Sequence, residues 1–167
     1  MGLEIERKFL INELPKNLTN YCYHEITQAY LCINPVIRVR KQDSEYYLTY
    51  KGSGLLRREE YNLPLNKDAY RHMLSKADGN VISKTRYEIP LANSDINPEC
   101  LQYLGESALV VELDVFDAPF APLVLAEIEF PNQEAADAFQ MLSWFAEDVT
   151  ENPIYQNSNM SQYIFES

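Results

Sequence analysis

The chain has 167 residues, 46% of them hydrophobic, which is enough for one domain with a real core and too apolar for a disordered chain. Its net charge is −11, from 14 Lys and Arg against 25 Asp and Glu, and since phosphate backbones need a basic face this excludes nucleic acid as a general partner. No apolar run approaches the ~20 residues of a membrane helix, and no basic stretch leads into an apolar one as in a signal peptide, so a cytoplasmic protein off the membrane is expected.

Alternation predicts a first strand near residues 2–12, where Glu4-Ile5-Glu6-Arg7-Lys8 runs into Phe9-Leu10-Ile11. Side chains on a strand alternate with period two, so Glu4, Glu6 and Lys8 share one face. Further strands are predicted at 22–33, 36–42, 45–51 and 55–63. They are separated by Asn34-Pro35, Asp43-Ser44 and Gly52-Ser53-Gly54, the last a hairpin turn and not a phosphate loop. A helix follows Asn66 as its N-cap, with Ala69, Tyr70, Met73, Leu74 and Ala77 at three/four spacing, and ends near Gly79. A strand at 81–90 precedes a less regular stretch in which Pro98 to Leu104 reads as a short helix. Strands at 108–116 and 123–130 flank Asp117-Ala118-Pro119. A second helix is predicted after Pro131-Asn132, with Ala135, Phe139, Leu142 and Phe145 on its buried stripe and Trp144 as a core residue of the same helix. A last helix is read over Ser158–Phe165. There are no repeats, low-complexity tracts or linkers, so residues 1–167 read as a single domain. Eight strands with few helices make a mainly β protein, an antiparallel barrel or sandwich.

Five strands carry two like charges at i and i+2: Glu4 and Glu6, Arg38 and Arg40, Lys84 and Arg86, Glu112 and Asp114, Glu127 and Glu129. Lys51 shares a face with Thr49, and Arg58 with Glu60. A solvated sheet face mixes its signs, because like charges side by side repel. Here the sign is segregated strand by strand, and the intervening residues are apolar, so the opposite face is buried. Carboxylate clusters without His or Cys suit Mg²⁺ or Mn²⁺, and clusters of Arg and Lys suit phosphate oxygens. Metal, polyanion and a basic cradle together are the apparatus of phosphoryl chemistry. The remaining candidates read as structural. The three cysteines, Cys22, Cys32 and Cys100, are odd in number, form no CxxC and are expected as reduced core thiols. Two histidines, His24 and His72, leave little room for a His-built zinc site and are expected on the surface or on a helix.

The ordered set Glu4-x-Glu6-x-Lys8, Gln28-Ala29-Tyr30, Arg38-x-Arg40, Thr49-x-Lys51, Arg58-x-Glu60, Lys84-x-Arg86, Glu112-x-Asp114, Glu127-x-Glu129 and Ser158-Asn159 resembles the CYTH family of triphosphate tunnel metalloenzymes over nearly the whole chain. That resemblance implies an eight-stranded antiparallel β-barrel forming an open tunnel, with the charged faces inside and the helices packed outside. Members bind a triphosphate together with a divalent metal. They include inorganic triphosphatases, thiamine triphosphatases and a class of adenylate cyclase. Carried over by position, Lys8, Arg38, Arg40, Lys51, Lys84 and Arg86 hold phosphate oxygens. Glu4, Glu6, Glu127 and Glu129 hold a first metal, and Glu112 and Asp114 shape the site or hold a second. Lys51 and Tyr30 occupy the positions of a Lys–Tyr pair associated with proton handling in related members. Asn62 departs from the pattern, since many relatives place a further acidic residue there. The expected function is metal-dependent hydrolysis of a small-molecule triphosphate, tripolyphosphate ahead of ATP or thiamine triphosphate, with Mg²⁺ or Mn²⁺. The rivals are an adenylate cyclase of the same fold, a non-catalytic polyphosphate- or nucleotide-binding module, and a plain structural β-domain. A homodimer stays open as the assembly.

Overall fold

Alternating strands of this length bury one face each, and closing them on themselves removes the exposed edges. The structure is a computed structural model and describes residues 2–54 and 56–166. Its strands β1 (Gly2–Ile11), β2 (Cys22–Ile33), β3 (Val36–Gln42), β4 (Glu45–Lys51), β5 (Arg57–Pro64), β6 (Asp78–Pro90), β7 (Val110–Phe116) and β8 (Val124–Glu129) join antiparallel in the order β5-β4-β3-β2-β6-β7-β8-β1. β1 also pairs with β5, Glu4 standing opposite Arg58, and this pairing closes an eight-stranded barrel. A ninth strand, β9 (Phe145–Asp148), adds to the C-terminal half of β1 outside the ring. The mainly β barrel read from the sequence is therefore present; the start of the fifth strand at residue 55 lies outside the described residues.

The outer face carries the apolar residues. Ile5 and Phe9 of β1, Val111 and Leu113 of β7, and Ala126 and Ile128 of β8 form one buried cluster under α2 (Pro98–Leu104) and α3 (Gln133–Ala138). Ala29 of β2 and Val39 of β3 pack under Tyr70 of α1 (Lys67–Leu74). Asn66 caps α1 as expected, its Oδ1 accepting from the Ala69 amide at 2.8 Å. The inner face turns apolar at one end. Leu10, Ile82, Phe116 and Leu125 lie two residues beyond Lys8, Lys84, Asp114 and Glu127, and they pack with Tyr30, Val36 and Met160. The C-terminal segment, with α4 (Asn157–Met160), packs there too. Gly79 sits at φ +72°, and a Cβ at that position would collide with the Ser161 carbonyl oxygen.

Several local expectations give way. The helix after Asn132 stops at Ala138, because Phe139 turns extended (ψ 124°). Phe139, Leu142 and Phe145 are all buried, but they reach the core from a loop and from β9, and Trp144 sits in that loop, edge-on to Phe145. Arg7 explains part of this. Its guanidinium reaches over from β1, donates to the carbonyls of Ala136 and Phe139 at 2.8 and 2.7 Å, and pairs with Asp148 of β9. The last helix spans only Asn157–Met160, α1 ends at Leu74, and β6 begins at Asp78. Among the cysteines, Cys100 is buried as expected, while Cys22 and Cys32 are exposed. No helix of the described residues is long and apolar enough to cross a membrane.

Candidate active site

Strand register decides which side chains meet inside the barrel, since directly opposed residues share a face. Glu6 is opposite Glu129, Lys8 opposite Glu127, Glu112 opposite both Glu127 and Glu88, Arg86 opposite Asp114, and Lys51 opposite Glu60. These rows line an internal cavity of about 240 Å³. Of the residues expected there, Glu4, Glu6, Lys8, Tyr30, Arg38, Arg40, Lys51, Lys84, Arg86, Glu112, Glu127 and Glu129 all line it. Asp114 does not. It is fully buried behind the wall, with Lys84 at 2.5 Å and Arg86 at 2.7 Å, so it steadies two cations.

The wall has two halves. β3, β2 and β6 are contiguous and bring Arg38, Arg40, Lys84 and Arg86, with Glu88 at one end; β7, β8, β1 and β5 bring Glu112, Glu127, Glu129, Glu4, Glu6 and Glu60, with Lys8 and Arg58 among them. Each half holds charge that its own neighbours do not fully meet. In the basic half, Arg38 donates from Nη2 to Thr49 at 2.9 Å, but its buried Nε finds no acceptor among the described residues. Burial and then the adjacent Arg40 push the Arg38 guanidinium below its ordinary range. Arg40 is anchored by Gln28, whose Oε1 accepts from Nε at 2.9 Å and from Nη2 at 2.6 Å. Burial pushes the Lys84 ammonium down to about 8 although Asp114 opposes the shift.

In the acidic half, burial and then Glu6 push Glu4 up to about 7. Glu129 and Glu112 are raised as well, both first by burial. Glu60 goes the other way, to about 2: burial opposes ionisation, but Lys51 beside it and a hydrogen bond from Glu4 outweigh burial. Glu4 and Glu60 thus divide between them one easy and one reluctant ionisation, as neighbouring carboxylates do. Lys51 sits between them at 2.9 Å from each, and Arg58 bridges Glu4 at 3.1 Å and Glu6 at 3.2 Å. Glu127 is held well below the usual range by Lys8 and Arg86, which overcome its burial.

A chain of hydrogen bonds joins the halves. Arg38 donates to Thr49, Thr49 donates to Asn62 Oδ1 at 2.6 Å, and Asn62 donates to Glu60 at 2.9 Å. The amide at position 62 is both acceptor and donor here, a part no carboxylate could play. Lys51 and Tyr30, expected as a pair, both line the cavity, each with its own partners. Lys51 is held by Glu4 and Glu60, while the Tyr30 hydroxyl accepts from Gln28 at 3.2 Å. Asn159 turns outward to the Pro153 carbonyl. Its neighbour Asn157 reaches the cavity instead, its Oδ1 accepting from Gln28 at 3.1 Å and Lys84 at 3.2 Å. His24 also lines the cavity, paired with Asp43 at 2.7 Å and Glu88 at 3.2 Å, where a surface position was expected; His72 is exposed on α1 as foreseen. The strand pattern does place His24 inside, since it falls two residues before Ile26 and four before Gln28 on the inward row of β2.

The donor set of the acidic half is oxygen alone, and Glu4 and Glu129 are crowded enough to resist ionisation. That is a fit to a hard divalent cation, which the carboxylates Glu4, Glu6 and Glu129 could hold.

A closed antiparallel barrel with a divided ionic interior is the class that fold and site define. The chain belongs to the CYTH domain family, whose model matches residues 2–117. It is similar to an inorganic triphosphatase of Nitrosomonas europaea, 32% identical over 164 residues, covering 96% of this chain and 98% of that one. It is likewise similar to an inorganic triphosphatase of Acetivibrio thermocellus, 31% identical over 166 residues, with 96% and 94% covered. A crystal structure of an inorganic triphosphatase superposes with a TM-score of 0.68 at 30% identity, covering 98% of this chain and 97% of that one.

Proposed function

We propose that this protein is a metal-dependent triphosphatase whose preferred substrate is tripolyphosphate and whose metal is Mg²⁺ or Mn²⁺. The observation that carries this reading is the buried Arg38 Nε without an acceptor, set in a basic half-wall that faces carboxylates reluctant to ionise. A donor left unpaired at such depth costs about 1–3 kcal/mol, which a phosphate oxygen would recover. Arg38, Arg40, Lys84, Arg86 and Lys8 bind the phosphate chain, the arginines through paired N–H donors. Glu4, Glu6, Glu127 and Glu129 hold the metal, with Glu112 beside them, and Asp114 supports Lys84 and Arg86 from behind. A bound divalent cation supplies charge neutralisation and acidifies water. The protein's own work is to fix the chain of phosphates so that water meets the terminal phosphorus in line, and to spread the charge that develops on the departing diphosphate. We assign proton handling to Lys51, which lies between Glu4 and Glu60, and to the Tyr30 hydroxyl. The cavity wall is charged or polar apart from Val36 and the rings of Tyr30 and Tyr47, which favours a bare polyphosphate over a substrate bearing a base or a thiazole.

Incubation with Mg²⁺ or Mn²⁺ and, in turn, tripolyphosphate, ATP and thiamine triphosphate tests this. Phosphate and pyrophosphate released fastest from tripolyphosphate are the expected result. Cyclic AMP from ATP would make it a cyclase, and binding of all three without turnover would make it a binding module.

A further inference from the structure

Cys22 and His24 lie on the inward row of β2, and Glu88 of β6 stands directly opposite Cys22. They meet at the end of the barrel away from the apolar cluster and the C-terminal segment. One ligand atom from each lies within 4.8 Å of the other two. We infer that Cys22, His24 and Glu88 form a second metal site at the barrel mouth, one for a Zn²⁺-class ion.

The donor chemistry separates this site from the cavity. A thiolate, an imidazole and a carboxylate form a borderline-soft set that selects Zn²⁺ over Mg²⁺, whereas the interior offers oxygen alone. Three protein ligands with an open fourth position is a recurrent Zn²⁺ arrangement. Tetrahedral bonds of ~2.0–2.3 Å put ligand atoms ~3.3–3.8 Å apart, so side-chain rotations of about an ångström close the present spacing. Cys22 is exposed and both His24 and Glu88 are partly so, which gives an ion a way in.

The orientation of His24 is a separate observation pointing the same way. Asp43, on the β3–β4 turn, accepts from the His24 Nδ1 position at 2.7 Å, and its other oxygen accepts from the Glu25 amide at 2.9 Å. Asp43 is thereby fixed, and it turns Nε2 toward Glu88 at 3.2 Å. A carboxylate on the far nitrogen is how metal-bound histidines are held in tautomer and angle. His24 and Glu88 also line the cavity, so the site borders it, and water or a phosphate oxygen would complete the shell of a bound ion. The site then couples Zn²⁺ to access to the tunnel.

Cobalt substitution tests this without reference to turnover. Co²⁺ titrated into the full chain under excess Mg²⁺ should produce one equivalent of a thiolate-to-cobalt charge-transfer band, with the intense visible bands of four-coordinate cobalt, and Zn²⁺ should bleach both. Cys22→Ser should remove the charge-transfer band while triphosphatase turnover in Mg²⁺ persists, which shows the variant is folded. Asp43→Asn should keep the band but weaken Zn²⁺ binding ~10–100-fold, the effect of losing an orienting partner. Glu4→Gln, which alters the cavity carboxylates, should leave the band unchanged. No band in the wild-type protein overturns the site, and so does a band that survives Cys22→Ser.

Discussion

Arg38 is the residue on which the interior turns. A guanidinium buried among others, with one nitrogen unpaired, is stabilised poorly in the ligand-free protein. Arg38→Met keeps the volume and removes the charge. It should raise the melting temperature of the ligand-free protein while cutting tripolyphosphate turnover by about 10²-fold or more, as for loss of a donor to developing charge. Arg38→Lys should raise KM about tenfold, because a point charge replaces the planar fork. A methionine variant that is both less stable and fully active would place Arg38 outside the binding site. Glu4 gives the complementary case. Its folded pKa of about 7 lies above the ordinary 4.5, so its ionisation opposes folding. That cost is absent below about pH 4.5 and grows until pH passes 7, to on the order of 3 kcal/mol. Glu129 and Glu112 act in the same direction. Glu60, depressed to about 2, contributes stability above 4.5 that is lost as pH falls toward 2. Metal-free protein should therefore melt at lower temperature at pH 8 than at pH 5, and Glu4→Gln should flatten that slope. A wild-type slope unchanged in the variant would show that the burden lies elsewhere.

Among the elements, α3 and β9 depend on one side chain of β1. Arg7 satisfies two carbonyls at the end of α3 and pairs with Asp148, joining three elements. Thr150 and Arg7 hold the Asp148 carboxyl below its ordinary range against the effect of burial, so this contribution is present at neutral pH and lost as pH falls below about 4. Arg7→Ala should cost about 2 kcal/mol, the scale of charged hydrogen bonds in a half-buried setting, or ~4–8 °C for a domain of this size. Hydrogen exchange should quicken in α3 and β9 ahead of the barrel; uniform loosening would refute the local assignment. The same residues show how far the sequence was legible. The barrel strands could be read from alternation and turn chemistry, and in five of the eight the like charges at i and i+2 with apolar residues between are a direct image of a wall with two environments. The helix end at Ala138 could not, since Phe139, Leu142 and Phe145 keep helical spacing and the side chain that terminates the helix comes from residue 7. β9 has four residues and owes its existence to an open edge on β1. In the site, the paired charges were visible from local spacing. The inward place of His24 was in the strand pattern too, but the separate duties of Asp114 and Asn157 were not, because register and the fold of the C-terminal segment decide them.

At the scale of the whole molecule, the cavity carries opposed charge that ligands of opposite sign would settle. Anything that binds the folded state alone stabilises it, by ~2.7 kcal/mol at a hundredfold excess over Kd. Mg²⁺ or Mn²⁺ together with a non-hydrolysable triphosphate should raise the melting temperature by about 5–10 °C. Either ligand alone should give less than half of that, because each meets the need of one half-wall. A null shift with both at saturation would count against an interior site.

Closure through β1 also sets an order of events in biosynthesis. β1 must find β5 on one side, β8 on the other and β9 beyond, and its bond from Arg7 to Asp148 spans 141 positions of chain. On a ribosome, β1 emerges long before β8 and β9 exist. Until then the nascent sheet has two raw edges, and Glu4 and Glu6 have no Glu129 or Glu127 near them to repel. Pairing across such sequence distances is slow and leaves edges exposed to other chains. The acidity of β1 serves a purpose in that interval: a strand bearing two carboxylates on its inward row is a poor template for a second copy of itself. The inward carboxylates of the finished cavity thus first act as a guard on an unfinished barrel.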